Sequence, residues 1–183
     1  MTTVRIATLA DKPEILRLLK ILHSEGGIQS LDMPRAEAML DLAFNRQGGI
    51  IGVIGEPSDI HAMISLLITK AWYTNEDHIE ELFNFIRPDQ RKSKYADIMI
   101  EFAKKCAREI GIPLMIGVMT NVRMAPKVRL YRMKLGNPSG AYFVYNCKWD
   151  VAVEPTIEDF WTAIESKPER RTRERINNRL VKA

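Results

Sequence analysis

The sequence has few cysteines and no long apolar run. Only Cys106 and Cys147 occur among its 183 residues, and neither lies in a CxxC pair, which is too few for a disulfide scaffold. No stretch reaches the roughly 18 uninterrupted apolar residues that a membrane span requires, and the first residues lack the apolar core of a signal peptide. We therefore expect a reduced, cytoplasmic protein with no membrane partner.

The sequence also lacks common signatures of nucleotide and metal binding. No GK[ST] follows its glycines, which excludes a Walker loop. The segment Gly49-x-x-Gly52-x-x-Gly55 lies inside a strand pattern with no helix after it, which favours close strand packing. His23, His61 and His78 have no metal-like spacing and no Cys-His cluster beside them. We expect no metal site and interpret these side chains as structural or surface histidines.

What is present is an ordinary globular composition, with 46% hydrophobic and 27% charged residues. The net charge of +4 is unevenly placed, because the segment from Lys167 to the end holds seven Lys or Arg against two Glu. The rest of the chain is close to neutral. We divide the sequence into a domain at residues 1–150 and a C-terminal extension with a basic tail at residues 151–183.

The basic tail, residues 167–183, has three interpretations. A dense basic run can bind nucleic acid through phosphates. The tail contains no aromatic residue for base stacking, and its glutamates favour a solvated helix instead. Docking onto a partner protein is the third alternative.

Hydrophobic periodicity alternates strands with amphipathic helices. The first helix is predicted to begin at Asp11, which caps it in a D-x-x-E box with Glu14, and to end at about His23. Further helices are predicted after Asp32, over 94–110 and over about 125–135. Strands are predicted over 4–9, 50–55, 60–72, 79–86, 112–119 and 141–145. The continuous apolar run at 112–119 indicates a central strand buried on both faces. This order predicts a mixed α/β or α+β layer fold.

The loop at residues 91–96 follows a strand and opens a helix. Free backbone N–H groups and the positive end of the helix dipole suit an anion at such a position. Arg91, Lys92 and Lys94 add positive charge there. The alternative is a solvated basic turn that only connects the two elements.

These segments resemble the GNAT N-acetyltransferase superfamily over about residues 3–149. Arg-Pro-Asp-Gln-Arg-Lys-Ser-Lys-Tyr-Ala (87–96) is similar to its [Q/R]-x-x-G-x-[G/A] motif, which follows a strand ending in x-x-Pro. Arg91 and Ala96 match the outer positions, whereas Lys94 replaces the central glycine. Leu130 to Gly136 is similar to the family's Leu-Tyr-x-x-x-Gly segment. The amino-acid sequence of residues 80–93 also resembles that of GNAT-type proteins of bacteriophages and prophages.

The resemblance implies a mostly antiparallel sheet flanked by helices, in which two parallel strands, 79–86 and 112–119, splay apart to seat acetyl-CoA. The backbone of Asn84, Phe85 and Ile86 would hold the pantetheine arm and the thioester carbonyl. Amides of the loop would hold the pyrophosphate, namely those of Arg91, Lys92, Ser93, Lys94, Tyr95 and Ala96. Tyr131 matches the tyrosine that protonates the departing CoA thiolate. The alternative for Tyr131 is a core aromatic of an amphipathic helix.

The base of this family is often a carboxylate on the strand before the loop. Strand alternation places Glu81 on one face with Phe83 and Phe85, and Glu80 on the other face. A bulge, which this strand often carries in the family, would shift that phase. We take Glu81 as the candidate base and Glu80 as the alternative. A solvated strand end is the other interpretation of both.

The implied function is transfer of an acetyl group from acetyl-CoA to a primary amine of an unidentified acceptor by direct attack. Residues 22–31 are candidates to line the acceptor pocket, and an exposed final strand is compatible with a homodimer. The family often carries an asparagine seven residues before the tyrosine, where this sequence has Met124. Together with Lys94, this departure leaves an alternative, a non-catalytic GNAT-fold binding or phage-particle assembly protein that attaches through its basic tail.

Overall fold

A five-stranded sheet is the central layer of the computed structural model, which describes residues 2–120 and 122–140. Its strands are β1 (Arg5–Ile6), β2 (Gly49–Glu56), β3 (Asp59–Lys70), β4 (Asp77–Ile86) and β5 (Leu114–Met115). The helices are α1 (Lys12–Gly26), α2 (Met33–Phe44), α3 (Tyr95–Ile110) and α4 (Met124–Leu135). The predicted order of elements is confirmed as far as α4, while the predicted strand at 141–145 and the C-terminal extension lie outside the described residues.

The strands lie side by side in sequence order. β1 to β4 pair antiparallel, whereas β4 and β5 pair in parallel. The parallel pairing is confined to Ile79 with Leu114 and Glu80 with Met115, although β4 continues to Ile86. The predicted mixed sheet with a splayed parallel pair is therefore confirmed, and the two strands part at Glu81.

Two apolar clusters hold helices on opposite faces of this sheet. The first joins α1 and α2 to the sheet and includes Ile15, Leu18, Leu40, Ile51, Val53, Ile60, Met63 and Phe85. The second joins α3 to the other face and includes Ile54, Ala62, Ile64, Leu66, Ile79, Met99, Ala103 and Cys106. β2 and β3 contribute to both clusters, which makes them the buried centre of the sheet.

The start of α1 differs from its prediction. Asp11 precedes the helix, but its carboxylate makes no cap bond to it. It accepts the Arg5 guanidinium at 2.6 and 2.9 Å and the Thr8 N–H at 2.7 Å. Glu14 pairs with Arg17 instead of completing a capping box. A wholly buried carboxylate requires strong hydrogen-bond partners, and the bidentate Arg5 guanidinium provides two charge-assisted bonds that the helix start does not.

The predicted strand at 112–119 is too long and too buried. Only Leu114–Met115 forms a strand, and it is the last strand of the sheet among the described residues. The side chains of the segment alternate between half-buried and exposed, and Met115 and Met119 are 51% and 58% exposed. The apolar composition of a segment does not show which neighbours flank it. The prediction of a central strand buried on both faces was therefore wrong.

In the ranges 2–120 and 122–140, no helix has both the length and the apolar character to cross a bilayer. Nor do three or more His, Cys, Asp or Glu side chains converge there in an arrangement that could hold a metal ion.

Candidate active site

A β-bulge sets the direction of the side chains at the gap. The pairing of β3 with β4 shifts between Ser65, opposite Phe83, and Leu66, opposite Glu81, so Leu82 is an extra residue in β4. A bulge reverses the phase of the side chains beyond it. Glu81 and Asn84 consequently reach the same tyrosine of α4, although their spacing of three would place them on opposite faces of a regular strand.

The predicted grouping of Glu81 with Phe83 and Phe85 is therefore wrong. Phe85 is buried in the cluster beneath α1 and α2, and Phe83 packs against the same cluster. Glu80, the alternative base, is exposed and lies opposite Leu67 and Met115. Of the two candidate bases, Glu81 is the one in hydrogen-bond contact with Tyr131.

Tyr131 is the centre of a cluster that also contains Glu81, Asn84 and Lys127, hereafter the Tyr131 cluster. Its hydroxyl donates to Glu81 Oε2 at 3.2 Å and accepts from Asn84 Nδ2 at 3.2 Å. The tyrosine is 7% exposed. Both predicted catalytic residues are thus within one hydrogen bond of each other, at the point where β4 and β5 separate.

Burial perturbs both titratable partners. It raises the pKa of Glu81 to about 7, against the opposing effects of the Lys127 charge and the Tyr131 hydrogen bond. Burial also raises the pKa of Tyr131 well above its ordinary value, and the neighbouring Glu81 charge adds to this. A carboxyl group that titrates near neutral pH is suited to take up and release a proton.

Lys127 is the member of the cluster that the sequence analysis missed. Its Nζ lies 3.5 Å from the backbone oxygen of Asn84 and 5.7 Å from the centre of the Tyr131 ring. The signal was available, since Lys127 precedes Tyr131 by four residues, and such residues share one face of a helix. The spacing could not show that this face points at β4.

Asn84 has a buried polar atom without a partner. Its Nδ2 donates to Tyr131, but its Oδ1 accepts no hydrogen bond from the residues that the structure describes. Leaving such an acceptor unsatisfied costs about 1–3 kcal/mol. A ligand with an N–H group at this point would remove that cost, which fits the amide groups of a pantetheine arm.

The loop before α3 offers a second set of ligand groups. Lys94 stands at the N-cap of α3 with φ −86°, an ordinary conformation that does not require glycine. The N–H of Ser93 bonds to the Gln90 carbonyl and that of Tyr95 to the Ser93 hydroxyl. Lys92 and Lys94 are exposed. Two of the six predicted amides are thus already engaged, whereas the cationic side chains of Lys92 and Lys94 make no ion pair with another described residue.

Arg91 is not directed outward from this loop. Its guanidinium is paired with Glu25 at the end of α1 and donates to the Ile86 carbonyl at 3.2 Å. Its charge also lies 5.7 Å from the centre of the Phe85 ring. Arg91 therefore connects the loop with α1 and β4.

The predicted acceptor segment, residues 22–31, contains a histidine with a structural role. His23 Nε2 lies 2.6 Å from the Gln29 carbonyl oxygen and so closes the loop between α1 and α2. A Cβ at Gly26 would lie 3.1 Å from Thr120 Cα, so the end of α1 approaches the segment after β5. Gly26, within the segment 22–31, thus lies beside Thr120 in the segment that follows β5.

A cavity of about 690 Å³ lies elsewhere, between β1, β2, β3 and the ends of α2 and α3. Its walls are mainly apolar and include Ile6, Phe44, Leu66, Cys106 and Ile110. The Tyr131 cluster does not contribute to these walls, and we assign the cavity no part in the site.

The chain is distantly similar in sequence to a curated acetyltransferase. No family model matches the chain. An amino-acid acetyltransferase from Pasteurella multocida (strain Pm70) is 27% identical over 110 residues, which cover 60% of this chain. The match spans only 22% of the length of that curated relative.

Solved structures are similar over most of the chain. A ribosomal-protein-alanine N-acetyltransferase from Brucella melitensis biovar Abortus 2308 matches with a TM-score of 0.60 and 14% identity, covering 80% of this chain and 99% of its own. A protein described as a predicted acetyltransferase from Clostridium acetobutylicum, solved with acetyl-CoA, matches with a TM-score of 0.60 and 15% identity, covering 80% and 96%. An integron cassette protein from the Cole Harbour Salt Marsh metagenome matches with a TM-score of 0.61 and 18% identity, covering 79% and 89%.

The chain has the fold of the GNAT acetyltransferases, which confirms the fold that the sequence resemblance implied. Identities this low establish the fold alone. One fold can host many activities, so the fold does not determine the activity of the chain.

Proposed function

We propose that the chain is an N-acetyltransferase that moves the acetyl group of acetyl-CoA to a primary amine. The acetyltransferase relatives and the neighbour solved with acetyl-CoA support this proposal. The observation that carries it is the contact of the Tyr131 hydroxyl with Glu81, at 3.2 Å, where β4 and β5 part. A base and an acid meet there beside a gap between two strands.

Acetyl-CoA fits the groups around this gap. The edge of β4 at Asn84, Phe85 and Ile86 runs beyond the pairing with β5 and is proposed to hold the pantetheine arm and the thioester. The orphan Oδ1 of Asn84 supplies an acceptor for an amide N–H. The loop amides from Arg91 to Ala96, with the exposed charges of Lys92 and Lys94, are proposed to hold the pyrophosphate.

The chemistry requires a base because an amine is protonated at neutral pH and must lose a proton to become a nucleophile. Glu81 is the proposed base and Tyr131 the proposed acid. The amine nitrogen forms a bond to the thioester carbon, the bond from carbon to sulfur breaks, and the thiolate takes a proton from Tyr131. A backbone N–H near Phe85 is proposed to stabilise the oxyanion.

Acetyl-CoA binding is the first test. Thermal unfolding is measured with acetyl-CoA, with free CoA and with neither. A ligand at about 100 times its Kd adds roughly 2.7 kcal/mol of stability, which a melting curve resolves. No shift at millimolar acetyl-CoA would contradict the proposal and favour the non-catalytic alternative.

Turnover is the second test, with Tyr131→Phe beside the unchanged chain. We expect the variant to bind acetyl-CoA with nearly unchanged Kd and to lose kcat by about 100-fold or more, since general acid–base groups contribute that much. Tyr73→Phe is the matched control, because Tyr73 is 74% exposed and lies outside the cluster. A variant without residues 167–183 should keep turnover, whereas an assembly protein would lose its partner.

A further inference from the structure

We propose that Glu81 and Tyr131 form one proton relay, in which the proton removed from the amine reaches the CoA sulfur through the Tyr131 hydroxyl. The inference rests on the proposed acetyl transfer and goes beyond it, since a separate base and acid would exchange their protons with solvent. It is drawn from the direct contact between Tyr131 and the Glu81 carboxylate at 3.2 Å.

A count of hydrogens on the phenol supports the relay. A tyrosine hydroxyl has one hydrogen to donate and two lone pairs to accept. The hydrogen is directed at Glu81, and Asn84 Nδ2 occupies one lone pair. As long as Glu81 is a carboxylate, the Tyr131 hydrogen is held by Glu81 and is not directed at a departing thiolate.

Protonation of Glu81 reverses this arrangement. Once the carboxylate has taken the proton of the attacking nitrogen, its new O–H can donate to the second lone pair of the phenol. The phenol hydrogen is then released from Glu81 and can pass to the thiolate as the bond from carbon to sulfur breaks. Glu81 gives its proton to Tyr131 in the same step, so both side chains return to their starting state and the proton count balances.

Burial makes the alternative routes costly. Tyr131 and Asn84 are only 7% and 9% exposed, so solvent has little access to reprotonate a phenolate. The raised pKa of Tyr131 means that a free phenolate is disfavoured there, and Glu81 contributes to that rise. A hydroxyl that receives one proton while it gives up another never becomes a full phenolate.

The test compares Glu81→Gln, Tyr131→Phe and the double variant in single-turnover reactions. The donor is acetyl-CoA, and the acceptor is ethylamine, spermidine or a tripeptide that begins with alanine. The reaction is measured as the disappearance of the acetyl-CoA thioester. Two members of one relay fail together, so we expect each single variant to lose about 100-fold or more and the double variant to be no slower than the slower single variant. Glu76→Gln and Tyr73→Phe, both exposed, are the matched controls.

A second readout requires no acceptor. With tyrosine labelled at the ring carbon that carries the hydroxyl, the Tyr131 resonance is followed by NMR from mildly acidic to mildly alkaline pH, on both sides of neutrality. We expect it to shift as Glu81 titrates, with a midpoint near its pKa of about 7, and to lose that transition in Glu81→Gln.

The outcomes separate the two proposals. Turnover by the unchanged chain, with losses that multiply in the double variant, would overturn the relay and leave the acetyltransferase in place. A Tyr131 resonance that is insensitive to Glu81 would also overturn the relay. No binding of acetyl-CoA would overturn the proposed function itself, and the relay with it.

Discussion

Arg91 pairs with Glu25 and so ties the loop before α3 to the last turn of α1. Both side chains are mostly buried, at 19% and 22% exposure. The same guanidinium bonds to the Ile86 carbonyl, so one cation joins three segments around the proposed acetyl-CoA site. The family resemblance assigned the amide of Arg91 to the pyrophosphate, while the side chain has this separate structural partner.

We expect Glu25→Gln to lower the free energy of unfolding by about 1–3 kcal/mol, because it leaves a partly buried guanidinium without its counter-charge. The measurement is urea unfolding at neutral pH. Glu109→Gln is the matched control, since Glu109 pairs with Lys105 at 3.6 Å with both side chains exposed, and such pairs contribute about 0–1 kcal/mol. Equal losses in the two variants would show that burial adds nothing at Glu25.

A larger and pH-dependent loss is expected for Asp11→Asn. Burial alone would raise the pKa of Asp11, but the Arg5 and Thr8 hydrogen bonds outweigh it and hold the pKa below its ordinary value. The folded pKa is thus depressed, so this stabilisation is present above about pH 4 and is lost as the pH falls through the folded pKa. We expect a loss of about 3 kcal/mol or more at pH 7, because a neutral amide at this wholly buried position loses the two charge-assisted hydrogen bonds from Arg5.

The control for Asp11→Asn is Asp41→Asn, whose carboxylate is 41% exposed beside Lys12. We expect it to cost about 1 kcal/mol or less at pH 7. Urea unfolding at pH 7 and again near pH 3 checks both variants. The gap between Asp11→Asn and the unchanged chain should narrow at the lower pH, and a gap that stays constant would contradict the assigned role of the charge.

Much of the fold followed from local signals in the sequence. The start of α2 at Asp32 and the helix over 94–110 each depend on residues that are close together in the chain, so the sequence shows them directly. The partner of Asp11 and the short length of β5 depend on contacts between distant segments. Periodicity carries no information about those contacts.

The candidate site shows the same division. Glu81 and Tyr131 were predicted from a family resemblance, and the structure places them in contact. The prediction that Glu81 shares a face of the strand with Phe83 and Phe85 was wrong, because the bulge at Leu82 arises from the pairing of β4 with β3. Lys127 was missed because its contact with Asn84 of β4 forms only when α4 packs beside β4, which the sequence does not show.

Gly55 at the end of β2 and Gly111 after α3 together provide a stability test of close packing. Gly55 has φ +110°, and a Cβ there would lie against the Asp59 carbonyl oxygen. Gly111 has φ +79°, but a Cβ there would meet no atom of the described residues within 4 Å. We expect Gly111→Ala to cost about 1 kcal/mol from backbone strain alone and Gly55→Ala to cost clearly more, measured by urea unfolding. Similar losses of unfolding free energy in the two variants would show that the turn between β2 and β3 relaxes to admit the methyl group.

Lys94 is the position where the chain departs from the family motif. Because its φ of −86° needs no glycine and its side chain is exposed, we expect the lysine to add a charged contact to the pyrophosphate. Lys94→Ala should then raise the Kd of acetyl-CoA about threefold to tenfold, with a weaker dependence on salt, as for a partly screened charge. Lys105→Ala, on the exposed side of α3, should leave the Kd unchanged. Tighter binding by Lys94→Ala would show that the lysine crowds the site.

The acid limb of the pH–rate profile is the sharpest test of Glu81. Its pKa is about 7, so the fraction of carboxylate, and with it the rate, should rise as the pH increases through 7. Deprotonation of the amine also raises the rate with pH, so the profile of the unchanged chain alone does not identify Glu81. Lys127→Met resolves this, because loss of the positive charge raises the pKa of Glu81 and leaves the amine unaltered.

We therefore expect Lys127→Met to move the midpoint of the acid limb to higher pH, because the Lys127 charge lowers the pKa of Glu81. Lys127→Arg keeps the charge and should leave the midpoint near 7. Arg129→Met, on the exposed face of α4, is the control for a general change in charge. If Lys127→Met and Arg129→Met have the same midpoint, the limb belongs to the amine, and Glu81 is not the group whose ionisation limits the reaction.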